Sequence, residues 1–174
     1  MKIKYLENFV GDKVQYAHEG DAGFDLRAAI SKPVQIPPGG RVAVPAGIQV
    51  ELDAGNEMQI RSRSGNTIKK GLVVMNAPGT IDETYRGEIG VILYNATIQE
   101  KFVPTGKNEE GQTTGHTKCE GNFITINPGD KIAQAVVAPY VRVQFEETEV
   151  LSETIRGEGG FGSTDETPKG PTIQ

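Results

Sequence analysis

Short runs of alternating apolar and polar residues recur along the whole chain, and this two-residue period constrains the fold more than any other feature. It is carried by Gly47-Ile48-Gln49-Val50-Glu51-Leu52, by Met58-Gln59-Ile60-Arg61, and by segments 89–94, 123–126 and 132–143. A period of two sends successive side chains to opposite faces, which is the pattern of a half-buried strand. Between the runs stand turn formers such as Pro37-Pro38-Gly39-Gly40, Pro45-Ala46-Gly47 and Asn127-Pro128-Gly129-Asp130. No window sustains a long amphipathic helix, and the most helix-like piece is 67–72. The pattern predicts an all-β fold, a jelly-roll-like barrel or sandwich.

Two segments depart from it. Residues 104–122 contain no Val, Ile, Leu, Phe or Met, and read as a polar surface insertion that folds back as a long loop. Beyond Leu151 the apolar residues become isolated, so the chain is expected to divide into a barrel domain, 1–151, and a C-terminal arm, 152–174. A hydrophobic content of 36% is modest for 174 residues and suggests long polar loops or burial shared with another copy. The net charge of -5 argues against nonspecific binding to nucleic acid or an anionic membrane, so any phosphate ligand must meet local cations. A single cysteine, Cys119, excludes an intrachain disulfide and suits a reducing compartment. The first ten residues alternate and carry Lys2, Lys4 and Glu7, unlike a signal peptide or a membrane span, and the cytoplasm is the expected location.

Five clusters could carry chemistry. Gly20-Asp21-Ala22-Gly23-Phe24-Asp25-Leu26 offers two acids that could help hold a hard divalent cation, or could be an ordinary charged turn. Arg61-Ser62-Arg63-Ser64-Gly65-Asn66 puts two cations and two hydroxyls where a strand opens, a plausible anion site or a polar turn. In the unit from Gly79 to Asn95, Asp82 stands at a strand end where its carboxylate could take a proton from water, or could close an Asx-turn or be a solvated turn acid. Gly129-Asp130-Lys131-Ile132-Ala133-Gln134 enters a strand with an amide that could donate to a ligand. Finally, Arg156-Gly157-Glu158-Gly159-Gly160-Phe161-Gly162-Ser163-Thr164-Asp165 combines a guanidinium, glycines, an aromatic and two hydroxyls, which suits a nucleotide loop and equally a flexible tail. His116 and Cys119 make half a metal site with no further cysteine to complete it. There is no Walker A sequence, no Gly-x-Ser-x-Gly and no His-Glu-x-x-His.

In order and spacing the five clusters resemble the motifs of the trimeric deoxyuridine triphosphatases, the dUTPases, from about Ala17 to Asp165. The resemblance implies a jelly-roll homotrimer whose three active sites each combine motifs from different subunits, with the arm crossing to a neighbour. It implies hydrolysis of the substrate dUTP to dUMP and pyrophosphate, which cleanses the nucleotide pool and supplies dUMP for thymidylate synthesis. Carried over, Asp82 would activate the attacking water, and Asp25 would hold Mg²⁺ through its water shell while Asp21 has a less defined part. Arg63, Ser64, Gly65 and Gln134 would contact the phosphates. Asn76, with backbone groups of Gly79 and Ile81, would read uracil, and Tyr85 would pack under the deoxyribose and exclude a 2′-hydroxyl. Phe161 would stack on the base as the arm closes, and Arg156, Gly162, Ser163 and Thr164 would bind near the γ-phosphate.

Asp165 stands where the family commonly has Gly, and residues 166–174 extend past the usual end. The 104–122 insertion exceeds that of compact cellular members and is similar to some bacteriophage ones, which admits a regulatory protein partner or a tolerated loop. Two other readings compete: a dCTP deaminase or bifunctional relative on the same fold, and a regulatory module that keeps nucleotide binding as a switch. The Thr80-Ile81-Asp82-Glu83-Thr84-Tyr85 hairpin favours the dUTPase.

Overall fold

The computed structural model of the chain describes residues 1–97 and 99–159. In chain order the elements are β1 (Lys2–Tyr5), β2 (Gly23–Arg27), β3 (Val34–Ile36), β4 (Arg41–Pro45), β5 (Ile48–Glu51), β6 (Asn56–Arg61), α1 (Ser64–Lys70), β7 (Leu72–Val74), β8 (Gly79–Ile81), β9 (Gly90–Asn95), β10 (Gln99–Lys107), β11 (Thr113–Glu120), β12 (Ile124–Ile126) and β13 (Lys131–Pro139). All belong to one unit, Met1–Arg142; the other, Val143–Gln174, carries no strand or helix among its described residues. The all-β expectation holds, with one short helix.

Every pairing is antiparallel. The larger sheets run β2-β13-β6-β8 and β4-β9-β7, while β1 pairs β5, β3 pairs β12 and β10 pairs β11. Neighbours in these sheets are mostly distant in sequence, as expected for jelly-roll crossing rather than a meander. The alternation read from the sequence decides which face is buried. Phe24 and Leu26 of β2, Ile48 and Val50 of β5, Met58 and Ile60 of β6, and Val91 and Leu93 of β9 point inward and form one core cluster. Removing such a side chain from water is worth about 1.5–3 kcal/mol each, so the period of two is enforced strand by strand.

One register irregularity matters for the surface. In β13 the ladder to β2 shifts between Lys131 and Ala133, so Ile132 and Ala133 are both buried although adjacent. This bulge resets the alternation and turns Gln134 to the opposite face from Ala133 and Ala135.

Three boundaries differ from the sequence reading. The helix begins at Ser64, not Thr67, because the Arg63 carbonyl accepts from the N–H groups of Asn66 and Thr67, a turn that carries no apolar period; Gly71, at φ 65°, ends it before Leu72 enters the core. The last strand stops at Pro139, not Val143, because its partner β6 begins at Asn56, opposite Pro139. The 104–122 segment is not a loop but most of a hairpin, β10–β11. Its β-forming residues are threonines, which give no apolar alternation; Asn108 and Gln112 close the tip through two hydrogen bonds of 2.8 and 2.9 Å, and Phe102 lies across Gly115, where a Cβ would strike its ring.

The base of that hairpin is held by Asn95, a fully buried amide. Its Nδ2 donates to the carbonyls of Ile36 and Asn122, both at 2.8 Å, and its Oδ1 accepts from the Thr97 hydroxyl at 2.7 Å and the Thr97 N–H at 3.0 Å. Replacing it with Ala leaves the Ile36 carbonyl unpaired in the core and unties the Asn122 and Thr97 groups from it. Asn95→Ala is expected to lower the unfolding free energy by about 3 kcal/mol, measured by urea denaturation; a loss under about 1 kcal/mol would contradict this role.

Candidate active site

Strand β13 lies between β2 and β6, and its register puts Gln134 directly opposite both Asp25 and Arg61. Three segments distant in sequence therefore present a carboxylate, an amide and a guanidinium in one row on one face. The loop after β6 closes the row into a cleft of about 410 Å³, lined among others by Asp21, Asp25, Arg61, Arg63, Ser64, Gly65 and Gln134. A larger groove of about 1150 Å³, bordered by α1 and the base of β10–β11, contains none of the expected site residues.

Asp25 is the hub. Its Oδ1 lies 2.7 Å from Arg63 Nε and its Oδ2 2.7 Å from Lys131 Nζ, and its side chain is half-buried. The segment carrying Arg63 and the first residues of α1, Ser64 and Gly65, is pinned from below. Gln134 Nε2 donates to the Ser62 carbonyl at 3.1 Å, buried Asn66 donates to the Lys131 carbonyl at 2.8 Å, and the Ser62 hydroxyl accepts from the Val74 N–H at 2.8 Å. A Cβ added at Gly65 would meet nothing within 4 Å, so this glycine keeps space open rather than serving packing. Asp21 lines the cleft and also accepts from the His18 N–H at 2.8 Å, so the charged-turn reading describes it as well.

The third cluster lies elsewhere. Gly79 and Ile81 belong to β8, at the edge of the sheet with β13 and β6 between it and β2, and pair with Ile60 and Met58; β9 lies in another sheet, so the unit is a turn between sheets and not the hairpin expected from the sequence. About 10 Å of β6 separates Met58 from Arg61, and Asp82 does not line the cleft. The Asp82 carboxylate is exposed and takes no hydrogen bond from described residues, so it closes no Asx-turn; its backbone carbonyl accepts from the Tyr85 N–H at 3.1 Å. Neighbours hold that turn. Glu83 accepts from the Gly55 N–H, and Arg86 donates to the carbonyls of Glu83 at 2.6 Å and Tyr85 at 2.9 Å. Burial, then the charge of Glu83, push the Tyr140 phenol above its usual pKa. Tyr85 folds over Gly87, where a Cβ would collide with its ring, and donates to the Glu88 carbonyl at 3.0 Å. Asn76 is exposed, and its Nδ2 would lie 3.1 Å from a Cβ at Gly79.

The remaining residues divide. Arg156, in the second unit, donates from Nε to the Gly159 carbonyl at 3.0 Å, and Phe161, Gly162, Ser163, Thr164 and Asp165 lie outside the described residues. Lys131 is the residue that sequence reasoning missed. It stood inside a quoted cluster, but only the pairing of β13 with β2, which sets Lys131 opposite Arg27, brings it to Asp25.

Among the described residues no three His, Cys, Asp or Glu side chains gather to cage a metal. Asp25, whose two oxygens each accept one cation, retains lone pairs for water. That donor set fits an ion that keeps its water shell, as Mg²⁺ does, rather than one bound by protein ligands alone.

Comparison with known proteins gives these positions a context. Residues 11–108 and 117–165 match the family model described as dUTPase, the gap falling on the β10–β11 turn and the start of β11. The deoxyuridine 5'-triphosphate nucleotidohydrolase of Bdellovibrio bacteriovorus is 44% identical over 165 residues, 94% of this chain and 95% of that protein. That of Rickettsia akari is 43% identical over 164 residues, with the same coverage. Among solved structures, a variant dUTPase of Staphylococcus bacteriophage 80alpha with dUpNHpp superposes with a TM-score of 0.72 at 26% identity, covering 94% of this chain and 96% of that one. A variant dUTPase from phage phi11 of S. aureus, whose structure describes the coordination of a structural Mg(II) ion, gives 0.67 at 26% identity, covering 87% and 98%. Matched through β2, β6, β8 and β13 alike, and over nearly the full length of its relatives, the chain belongs to the dUTPase family.

Proposed function

We propose that this chain hydrolyses dUTP to dUMP and pyrophosphate, as a homotrimer in which each active site joins the cleft of one copy to the Asp82 turn of another. The observation that carries the reading is the gathering of Asp25, Arg63, Ser64, Gly65 and Gln134 around one cleft by the register of β13. Its cations suit a triphosphate on a protein of net charge -5. The position of Asp82 outside that cleft supports a shared site, since within one copy the base and the phosphate cradle are apart.

In this mechanism Arg63, the Ser64 hydroxyl, Gly65 and Gln134 hold the triphosphate. Asp82, exposed and free of hydrogen bonds from described residues, accepts a proton from water as the water oxygen bonds to the α-phosphorus. The bond from that phosphorus to the bridging oxygen breaks in line, and pyrophosphate leaves with the electron pair. Mg²⁺, held through water by Asp25, would supply neutralisation of the triphosphate charge. Asn76 with the backbone of Gly79 and Ile81 reads uracil, and Tyr85, anchored on the Glu88 carbonyl, sits under the deoxyribose. The arm, residues 152–174, brings Arg156, Phe161, Gly162, Ser163 and Thr164 to a neighbour's nucleotide and orders on binding. The enzyme works in the cytoplasm, where it removes dUTP and supplies dUMP for thymidylate synthesis. The 104–122 segment, part of which lies outside the family match, carries none of the residues assigned to this chemistry, and is either a docking element for a regulatory protein or a tolerated surface insertion.

A pyrophosphate-release assay comparing dUTP with dTTP, UTP and dCTP tests the reaction; preference for dUTP and loss of activity on chelating Mg²⁺ are expected, and deamination of dCTP would overturn the assignment. Asp82→Asn should bind dUTP while turnover falls roughly 10²–10⁴-fold. Gly87→Ala, which displaces the Tyr85 ring, should erode the preference for dUTP over UTP; an unchanged ratio of kcat/KM values would remove Tyr85 from sugar selection.

A further inference from the structure

Resting on the dUTPase reading, we infer that Arg61 is a phosphate-binding residue, aimed into the cleft by a relay from Glu57 through Gln59. These three residues alternate along β6 and share its outward face. Arg61 stands opposite Gln134, which stands opposite Asp25, so its place in the row is set by the ladder rather than by a loop. It lines the cleft beside Arg63 and Ser64.

The charges in the cleft are not equivalent. Arg63 Nε and Lys131 Nζ are both committed to Asp25 at 2.7 Å. Arg61 makes no ion pair among the described residues; its Nε and one terminal nitrogen donate to Gln59 Oε1 at 3.1 and 2.6 Å. A neutral amide orients the guanidinium without cancelling its charge, and three of its five N–H donors remain. Gln59 is itself fixed, since its Nε2 donates to Glu57 Oε1 at 2.6 Å, which leaves the carbonyl oxygen for Arg61. A planar donor group, charged and held in place at the wall of an anion cleft, is the arrangement that binds phosphate oxygens with little ordering cost.

The test measures binding and turnover separately, on the full chain. Titration calorimetry with inorganic tripolyphosphate should show Arg61→Gln binding at least about tenfold more weakly than the parent, with a shallower salt dependence. In dUTP hydrolysis the same variant should raise KM while kcat stays within about threefold, the signature of binding lost equally in ground and transition states. Gln59→Leu keeps the charge and removes its aim, and should give an intermediate loss. Arg61→Lys, which preserves folding if Gln does not, should also fall between, because an ammonium lacks the fork. Parent-like tripolyphosphate affinity and KM in Arg61→Gln, or in Arg61→Lys if Arg61→Gln does not fold, would overturn the inference. Arg61-dependent tripolyphosphate binding by a parent that leaves dUTP intact would uphold Arg61 and reject the dUTPase reading.

Discussion

The pairing of β13 with β2 on one side and β6 on the other is the constraint on which the site depends. Its bulge after Lys131 buries both Ile132 and Ala133 and returns Gln134 to the outward face, opposite Asp25 and Arg61. A one-residue slip would drive Gln134 into the core and expose Ala133 and Ala135. The hydrophobic effect thus fixes a polar constellation. The apolar residues of the inward face hold the register, and the outward residues inherit their mutual positions from it.

On that frame, electrostatics sets the charge pattern of the cleft. Asp25 gathers Arg63 and Lys131, so two cations that a triphosphate could attract are parked on a carboxylate that can still accept bonds from water. Support beneath the surface comes from hydrogen bonds: Asn66, Ser62 and Gln134 spend their side chains on backbone groups of neighbouring segments and tie residues 62–66 to them.

Much of this was legible in the sequence because burial follows a simple period. The strands at 47–52, 58–61 and 89–94 were visible through alternation, and the clusters around Asp25, Arg63 and Gln134 through residue type and spacing. What was not legible depended on pairing. Lys131 acquires meaning only through its distance to Asp25; Arg61 was visible as a cation of the second cluster, but its orientation by Gln59 was not. The β10–β11 hairpin was hidden because threonines and charged residues form a ribbon without an apolar face, and the start of α1 because Ser64-Gly65-Asn66 carries no helical period.

The separation of Asp82 from the cleft makes sharing between copies the central claim, and a mixing experiment tests it most directly. Asp82→Asn and Arg63→Ala proteins, each inactive alone, are unfolded together in equal amounts, refolded, and assayed for pyrophosphate release from dUTP. If each site takes Asp82 from one copy and Arg63 from another, random assembly restores an intact pair in about one site in four, and about a quarter of parental activity returns. Activity that stays at the level of the separate variants would place both residues in a single copy and contradict the shared site.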